Sequence, residues 1–252
     1  MSDAVNLASR LEGANKFYGT TIIVSEATVA LAGDGFAWRE LDAIRVKGRS
    51  QALKIYELLA LSSEMTEAQQ KAVSDYAERR AQSHAALAVL GAVRDALREA
   101  GFACPIVTGA GTGTHDFDHE PGVLTELQVG SYVFSDVIYD GVVMAPDAPR
   151  RFRNSLFVHT RIVSDQHPGF ATSDAGFKSF AMDGPAPVIF SGAPQGARYD
   201  RFGDEFGKVV LADPGARLPV GTLLACIVPH CDPNVALFDH YHCVRGDRLV
   251  EL

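Results

Sequence analysis

The spacing of hydrophobic residues changes character once along this chain, and the change limits the folds available to it. Up to about residue 150, helical spacing alternates with short β-branched segments. From residue 155 onward the helical spacing disappears, and short apolar strands are separated by Gly, Pro and Asp turns. The sequence therefore predicts an α+β, multidomain protein in which a parallel α/β part precedes an antiparallel β domain.

Local patterns predict the elements in more detail. The first 60 residues predict a helix ending near Gly19, a strand, a short helix beginning at Ser25, and two further strands over 36–46 and 53–59. The polar segment 62–82 predicts a connector helix, and a separate helix with an apolar stripe follows it and ends at Gly101. Later strands are expected in the segments CPIVT, LTELQVGSYVF, LFVHTRIVS, FKSFAM, KVVLA and LLACIVP and in a final hairpin.

Composition excludes several classes of protein. There are 31 acidic and 23 basic residues, and the resulting net charge of -8 disfavours non-specific nucleic-acid binding. The longest apolar runs, such as residues 223–228, are too short to span a membrane, and the first residues do not have the pattern of a signal peptide. Four cysteines without CxxC spacing fit a reducing compartment, so we expect a cytoplasmic protein without nucleic-acid or membrane partners.

A glycine-rich segment, TGAGTGT at 108–114, follows a predicted strand. Glycines allow backbone amides to converge on an anion, and threonine hydroxyls add donors. The segment is not followed by the Gly-Lys-Ser/Thr of a Walker loop, and it does not open a helix as a dinucleotide-binding fingerprint does. From these residues alone, a phosphate site and a plain glycine turn both remain open.

A second short motif, His230-Cys231-Asp232, ends a predicted strand. In extended chain His230 and Asp232 point to the same side and Cys231 to the other. Imidazole and carboxylate together suit Mn²⁺, Mg²⁺ or Zn²⁺ with waters completing the shell. H-x-D is a short pattern that also occurs without a metal, so it indicates a metal site only weakly.

The remaining polar clusters carry less weight. The acidic and histidine-rich loop after the glycines could bind a metal, but a solvated loop is the favoured interpretation: it contains His115, Asp116, Asp118, His119 and Glu120. His240 and His242 are interpreted as surface or strand residues, and Asp174 and Lys178 as residues that are structural or support the site from behind. Cys226 and Cys243 are expected to be buried.

The segments DAVNLASRLE, YGTTIIVSEAT and ELDAIRVKGRSQALKIYEL, in this order, resemble class III adenylate/guanylate cyclases over residues 1–60. Asn6 and Arg10 are four apart and share a helix face, where they could steady a phosphate. The resemblance implies that role for them and a triphosphate contact for Lys47. The family's metal-binding aspartates precede this segment and are absent here, so we expect no cyclase activity and interpret the three residues as vestigial surface groups.

From about residue 79 onward, RDALREAGFACPIVTGAGTGT, TELQVGSYVF, DAGFKSFAMD and VPHCDPNVALFD occur in the order typical of another family. They resemble D-threonine aldolase and D-serine dehydratase-like enzymes, which use pyridoxal phosphate (PLP) in a fold-type III, alanine-racemase-like (β/α) barrel. The resemblance implies a metal site at His230 and Asp232. It also implies that the PLP phosphate is held by Gly111, Thr112, Gly113, Thr114, Gly130, Ser131 and Tyr132.

Within that family, Asp232 favours the aldolases, because dehydratases carry H-x-C at this motif. The implied reaction is PLP- and metal-dependent carbon–carbon cleavage of β-hydroxy-D-amino acids, such as D-threonine to glycine and acetaldehyde. D-serine dehydratase-type elimination is the alternative. The family often has His where Phe206 stands, so one polar contact of the site would be lost.

The family's cofactor lysine lies near the start of its barrel, and none of the lysines here matches it: Lys16, Lys47, Lys54, Lys71, Lys178 and Lys208. We therefore interpret the chain as a fusion of a cyclase-like fragment (1–61), a helical linker (62–82), a truncated PLP-barrel remnant (83–150) and a β domain (151–252). Alone it is expected to be catalytically incomplete. A cyclase-related signalling fragment, a non-catalytic module and a homodimer formed through open strand edges stay as alternatives.

Overall fold

The computed structural model of this protein describes residues 3–18, 20–45, 52–142 and 152–251, with side chains from residue 7 onward. The chain divides into two compact units. The first comprises residues 1–110, 114–127 and 143–149, and the second comprises residues 111–113, 128–142 and 150–252.

The first unit begins with two helices and three strands in the order that the sequence predicts, and the strands pair in one antiparallel sheet. Its elements are α1 (Asp3–Tyr18), β1 (Ile23–Ser25), α2 (Glu26–Ala32), β2 (Phe36–Ile44) and β3 (Leu53–Leu61), and the strand order is β1-β3-β2. α2 begins where expected, because the Ser25 hydroxyl accepts the Thr28 amide at 3.4 Å. Leu11 of α1 packs against Ile23 and Ile55 of the sheet, and this apolar contact holds the helix on it.

One long helix, α3 (Glu67–Glu99), replaces the two helices predicted over 62–82 and 83–101. Thr66 and Gln69 form a capping box at its start, and no Gly-Pro breaker interrupts the polar half, so the helix continues. Gly101 ends it as predicted. With φ at 88°, Gly101 lets the Phe102 amide reach the Leu97 carbonyl at 3.0 Å.

The predicted strand over 124–134 is mostly wrong. Only β5 (Glu126–Leu127) forms, and it pairs in parallel with β4 (Thr108–Gly109), as an α/β unit requires. Residues 131–133 instead form a 3₁₀ turn after Gly130, whose φ and ψ of −130° and −53° leave the strand conformation.

The second unit contains the predicted antiparallel β domain. After α4 (Val137–Asp140), six strands form one sheet in the order β8-β11-β6-β7-β10-β9, and the two edge strands also approach each other, so the sheet is almost a closed barrel. The strands are β6 (Phe157–His167), β7 (Phe170–Ser173), β8 (Val188–Ser191), β9 (Arg198–Arg201), β10 (Gly207–Val210) and β11 (Leu223–Ile227). α5 (Cys231–Asn234) and a hairpin of β12 (Cys243–Arg245) and β13 (Arg248–Glu251) follow.

The barrel core follows from period-two alternation along the strands. On β6, Val158, Thr160 and Ile162 are buried, whereas the alternate residues His159, Arg161 and Val163 are exposed. The strand predicted at FKSFAM does not form: Phe180 is fully buried and packs edge-to-face on Tyr199 at 5.3 Å, so this segment fills the core as a loop.

Two expectations about cysteines and membranes can be compared with the structure. Cys226 is fully buried as predicted, but the prediction for Cys243 is wrong, because that residue is exposed in the final hairpin. Within the described ranges, no helix has the length and apolar character needed to cross a bilayer.

Candidate functional site

Three separated motifs meet in the second unit. The Ser131 hydroxyl lies 2.9 and 3.1 Å from the two carboxylate oxygens of Asp232, across 101 residues of sequence. The Tyr132 amide donates to the Thr112 hydroxyl at 3.2 Å. The turn after Gly130 is therefore bonded both to the glycine-rich loop and to the His-Cys-Asp motif.

A fully buried carboxylate, Asp136, fixes this arrangement. One of its oxygens caps α4 by accepting the Tyr139 amide at 2.9 Å, and the other accepts the Cys231 amide at 2.6 Å. The Val137 amide also donates to the Val228 carbonyl at 3.1 Å, just beyond β11. A single aspartate thus joins a short helix to the turn that carries His230 and Asp232.

His230 and Asp232 lie side by side, although the extended conformation assumed from the sequence is wrong. Residues 231–234 are helical, and His230 stands at the N-cap of that turn. Its Nε2 atom is 3.3 Å from Asp232 Oδ2. Cys231 points the other way into the core, where burial and then the neighbouring Asp136 raise the pKa of its thiol to about 12.

The separation of these two donor atoms suits one cation. Two ligands on adjacent positions of a divalent ion, each at ~2.1 Å, are about 3.0–3.4 Å apart in octahedral or tetrahedral geometry. The observed 3.3 Å falls in that range without rearrangement. No group of three or more His, Cys, Asp or Glu suited to one metal occurs among the described residues, so water would supply the other ligands.

The surroundings of His230 are acidic. Asp183 Oδ2 lies 2.8 Å from its Nδ1 atom. Partial burial acts to lower the pKa of His230, but the Asp183 hydrogen bond and the nearby carboxylates of Asp183, Asp136 and Asp232 outweigh it and raise that pKa overall. This local excess of negative charge favours a cation.

The glycine-rich loops offer space but few hydroxyl donors to an anion. A Cβ atom built on Gly111 or on Gly130 would meet nothing within 4 Å, so a ligand could approach the backbone there. The Ser131 hydroxyl faces a carboxylate, and the Thr112 hydroxyl is buried against the next turn. Thr114 belongs to the first unit, where its carbonyl accepts the amide of residue 117 at 3.1 Å.

The other predicted candidates lie elsewhere. Arg10 is exposed on α1, whereas the Asn6 side chain and all of Lys47 fall outside the described residues. The prediction of a solvated loop over 115–120 is wrong in part. Asp118 is buried, and Glu120 forms an ion pair with Arg80 of α3 at 2.6 Å.

Sequence reasoning missed three residues of the site: Asp136, Tyr139 and Asp183. The first carried a local signal, since Asp before a short apolar helix is a common N-cap. Tyr139, whose hydroxyl lies 3.3 Å from the Ser131 hydroxyl, and Asp183, 47 residues from its histidine, had none.

Several known proteins are similar to parts of this chain. Residues 155–244 match the family model described as "Putative serine dehydratase domain". D-threonine aldolase of Arthrobacter sp is 44% identical over 156 residues, which make up 62% of this chain and 40% of that protein. 3-hydroxy-D-aspartate aldolase of Paracoccus denitrificans (strain Pd 1222) is 32% identical over 70% of this chain and 46% of its own length.

A solved structure and a nucleotide cyclase are also similar to parts of this chain. The crystal structure of D-threonine aldolase from Filomicrobium marinum superposes with a TM-score of 0.60 at 36% identity, covering 67% of this chain and 44% of that one. Adenylate cyclase 1 of Rhizobium meliloti (strain 1021) is 51% identical over 61 residues, which are 24% of this chain and 9% of that protein. The chain thus spans less than half the length of its aldolase relatives, carries a D-serine dehydratase-like domain, and has a short segment similar to adenylate cyclases.

Proposed function

We propose that the second unit carries the metal- and phosphate-binding half of a D-threonine aldolase-like, PLP-dependent lyase that acts on β-hydroxy-D-amino acids. The observation that carries the proposal is the 2.9 Å contact between Ser131 and Asp232, which joins the turn at Gly130 to the His-Cys-Asp motif. Aldolases are also among the relatives that share sequence with the chain.

Each residue has a separate task in this proposal. His230 Nε2 and an Asp232 oxygen would hold a divalent cation, and Ser131 would orient that carboxylate through its hydrogen bond. The backbone at Gly111 and Gly130 would approach the cofactor phosphate. When bound, the cofactor supplies an electron sink for the bond that breaks, and the cation supplies charge that favours loss of the substrate's hydroxyl proton.

We further propose that this chain alone does not complete the reaction. The two lysines of the second unit have partners outside the candidate site. Lys178 pairs with Glu205, and Lys208 lies 4.4 Å from the centre of the Phe170 ring. Neither matches the lysine that anchors the cofactor in the aldolases that the sequence resembles, so a covalent anchor would have to come from elsewhere.

The test combines binding with chemical trapping. The purified chain is incubated with Mn²⁺ and PLP, treated with borohydride and digested, and the lysines are examined by mass spectrometry. We expect both ligands to bind and no lysine to carry a reduced PLP adduct in preference to the exposed side chains of Lys71 and Lys178. Absence of Mn²⁺ and PLP binding would contradict the proposed site, and an adduct with D-threonine cleavage would contradict the proposed incompleteness.

A further inference from the structure

The segment from Ala181 to Pro185 lies directly against the candidate metal ligand His230. A Cβ atom built on Gly184 would stand 3.6 Å from the Cβ of His230 and 3.2 Å from the Cδ1 of Ile138. Asp183, next to this glycine, places Oδ2 2.8 Å from His230 Nδ1. The two ring nitrogens of His230 therefore face different carboxylates, Asp183 on one side and Asp232 on the other.

Arg201 of β9 holds this segment in place. Its guanidinium donates to the carbonyls of Gly184 and Pro185, each at 3.0 Å, and also to the carbonyl of Ala181. A guanidinium presents its donors in one rigid plane, so three bonds to one loop define the position of that loop.

At Ala181, the same segment is also bonded to α5, the helical turn that carries Asp232. Asn234, which is 1% exposed, accepts the Ala181 amide at 2.9 Å through its side-chain oxygen. Asn234 closes α5, the helical turn that carries Asp232. The backbone on both sides of Asp183 is therefore fixed relative to both candidate ligands, although the Asp183 side chain itself is 55% exposed.

The Asp183 contact at Nδ1, 2.8 Å, is shorter than the Asp232 contact at Nε2, 3.3 Å, and therefore favours one neutral form of the imidazole. An ionised carboxylate only accepts hydrogen bonds, so a neutral His230 bonded to Asp183 carries its proton on Nδ1 and leaves the lone pair on Nε2. Histidine ligands of metals are commonly oriented by a carboxylate on the second ring nitrogen, and loss of that partner weakens metal binding about 10- to 100-fold.

We propose that Asp183 is a positioning residue: it binds His230 through Nδ1–H and so presents Nε2, beside Asp232, as the free donor atom for a divalent cation. The inference rests on the proposed function for the cation, but the protonation form of His230 can be measured without any metal. The two can therefore fail separately.

The first experiment measures the ring form in metal-free protein. Protein labelled with ¹⁵N-histidine is studied by NMR at alkaline pH, where the ring is neutral, and the His230 signals are assigned by their loss in His230→Ala. We expect the Nδ1–H form in the wild type and in Asp183→Asn, whose amide oxygen can still accept the bond. Asp183→Ala should shift His230 towards the Nε2–H form.

The second experiment measures Mn²⁺ affinity by calorimetry. Asp183→Ala should bind about 10- to 100-fold more weakly than the wild type, with Asp183→Asn between them. Asp200→Ala removes an exposed carboxylate of the same unit and should match the wild type. An unchanged ring form or an unchanged affinity in Asp183→Ala would overturn the proposal. A wild type that has the Nδ1–H form but binds no Mn²⁺ would overturn the proposed metal site and leave the positioning of His230 by Asp183 intact.

Discussion

Replacing Asp136 should loosen the site more than any other exchange of one carboxylate in the second unit. The residue is fully buried, and its two oxygens accept the Tyr139 and Cys231 amides at 2.9 and 2.6 Å. Asp136→Ala leaves the buried Cys231 N–H and the half-buried Tyr139 N–H without an acceptor, at about 1–3 kcal/mol each, or about 2–6 kcal/mol together. Asp136→Asn should lose roughly half as much, because its amide offers one acceptor oxygen.

Hydrogen exchange measured by mass spectrometry detects this loss of stability in the peptides around Asp136. In peptides covering 130–142 and 223–234, the protected amides of Asp136→Ala should exchange about 30-fold to 10⁴-fold faster than in the wild type, since each 1.4 kcal/mol is about tenfold. The exposed Asp200→Ala serves as the control and should exchange like the wild type. Wild-type exchange in both peptides of a folded Asp136→Ala protein would refute the view that this carboxylate joins α4 to the turn that carries His230 and Asp232.

Three further predictions concern stability. Arg80 forms ion pairs with Glu40 and Glu120 at 3.0 and 2.6 Å, and its side chain is little exposed. Arg80→Met should therefore lower the free energy of unfolding of the first unit by about 3–5 kcal/mol. Urea unfolding followed by the fluorescence of the single tryptophan, Trp38, measures this loss. Lys71→Met, which breaks an exposed i,i+4 pair, is the control, and an equal loss in both would show that burial does not matter. Burial acts to raise the pKa of Glu40, but its bonds to Arg80 and Lys54 outweigh this and lower that pKa. The stabilisation by ionised Glu40 is therefore present above its ordinary pKa of 4.5 and is lost as pH falls through the folded-state pKa. The pKa of Glu120 is raised, chiefly by burial, so its contribution to stability instead falls as pH rises through the folded-state pKa. Glu40→Gln should flatten the acid limb of a Trp38 unfolding curve, and an unchanged limb would contradict the assignment. Gly176→Ala would bring a Cβ within 2.1 Å of the Gly203 carbonyl oxygen and should cost about 1–3 kcal/mol or more by calorimetry, whereas Gly203→Ala, with nothing within 4 Å, should cost less. Equal melting temperatures for the two variants would count against the packing of this loop.

The sequence predicts local structure well where one segment decides it. Ser25 begins α2 and Gly101 ends α3 because a cap needs only its own neighbours. The alternation of β6 likewise predicts its inward residues. The predicted division of α3 into two helices is wrong, because a change in polarity along the chain does not by itself end a helix. Thr66 and Gln69 cap one continuous helix.

Local sequence patterns do not predict contacts between residues that are far apart in the chain. A strand is expected over 124–134, but Ser131 lies in a turn there and bonds Asp232, a partner 101 residues away. FKSFAM has strand-like composition, but the place of Phe180 in the core decides its conformation. The importance of Asp183 depends on a histidine 47 residues further along the chain, and no spacing rule connects them.

Because the site is acidic, the affinity for PLP should depend on whether a divalent cation is bound. Asp136, Asp183 and Asp232 all lie close to His230, so a phosphate should bind there tightly only after a divalent cation has offset their charge. Calorimetry should therefore show PLP binding more strongly with Mn²⁺ than with EDTA, and His230→Ala should abolish the difference.

Paramagnetic ³¹P NMR tests most directly whether the glycine-rich loops and the His230–Asp232 pair form one site. Bound Mn²⁺ broadens the ³¹P signal of a phosphate only when the two lie close together. We expect the signal of PLP bound to the wild-type chain to broaden on addition of stoichiometric Mn²⁺ and to stay sharp in His230→Ala. A bound PLP whose ³¹P line stays sharp while Mn²⁺ occupies the wild-type protein would show two unconnected sites and would contradict the proposed function.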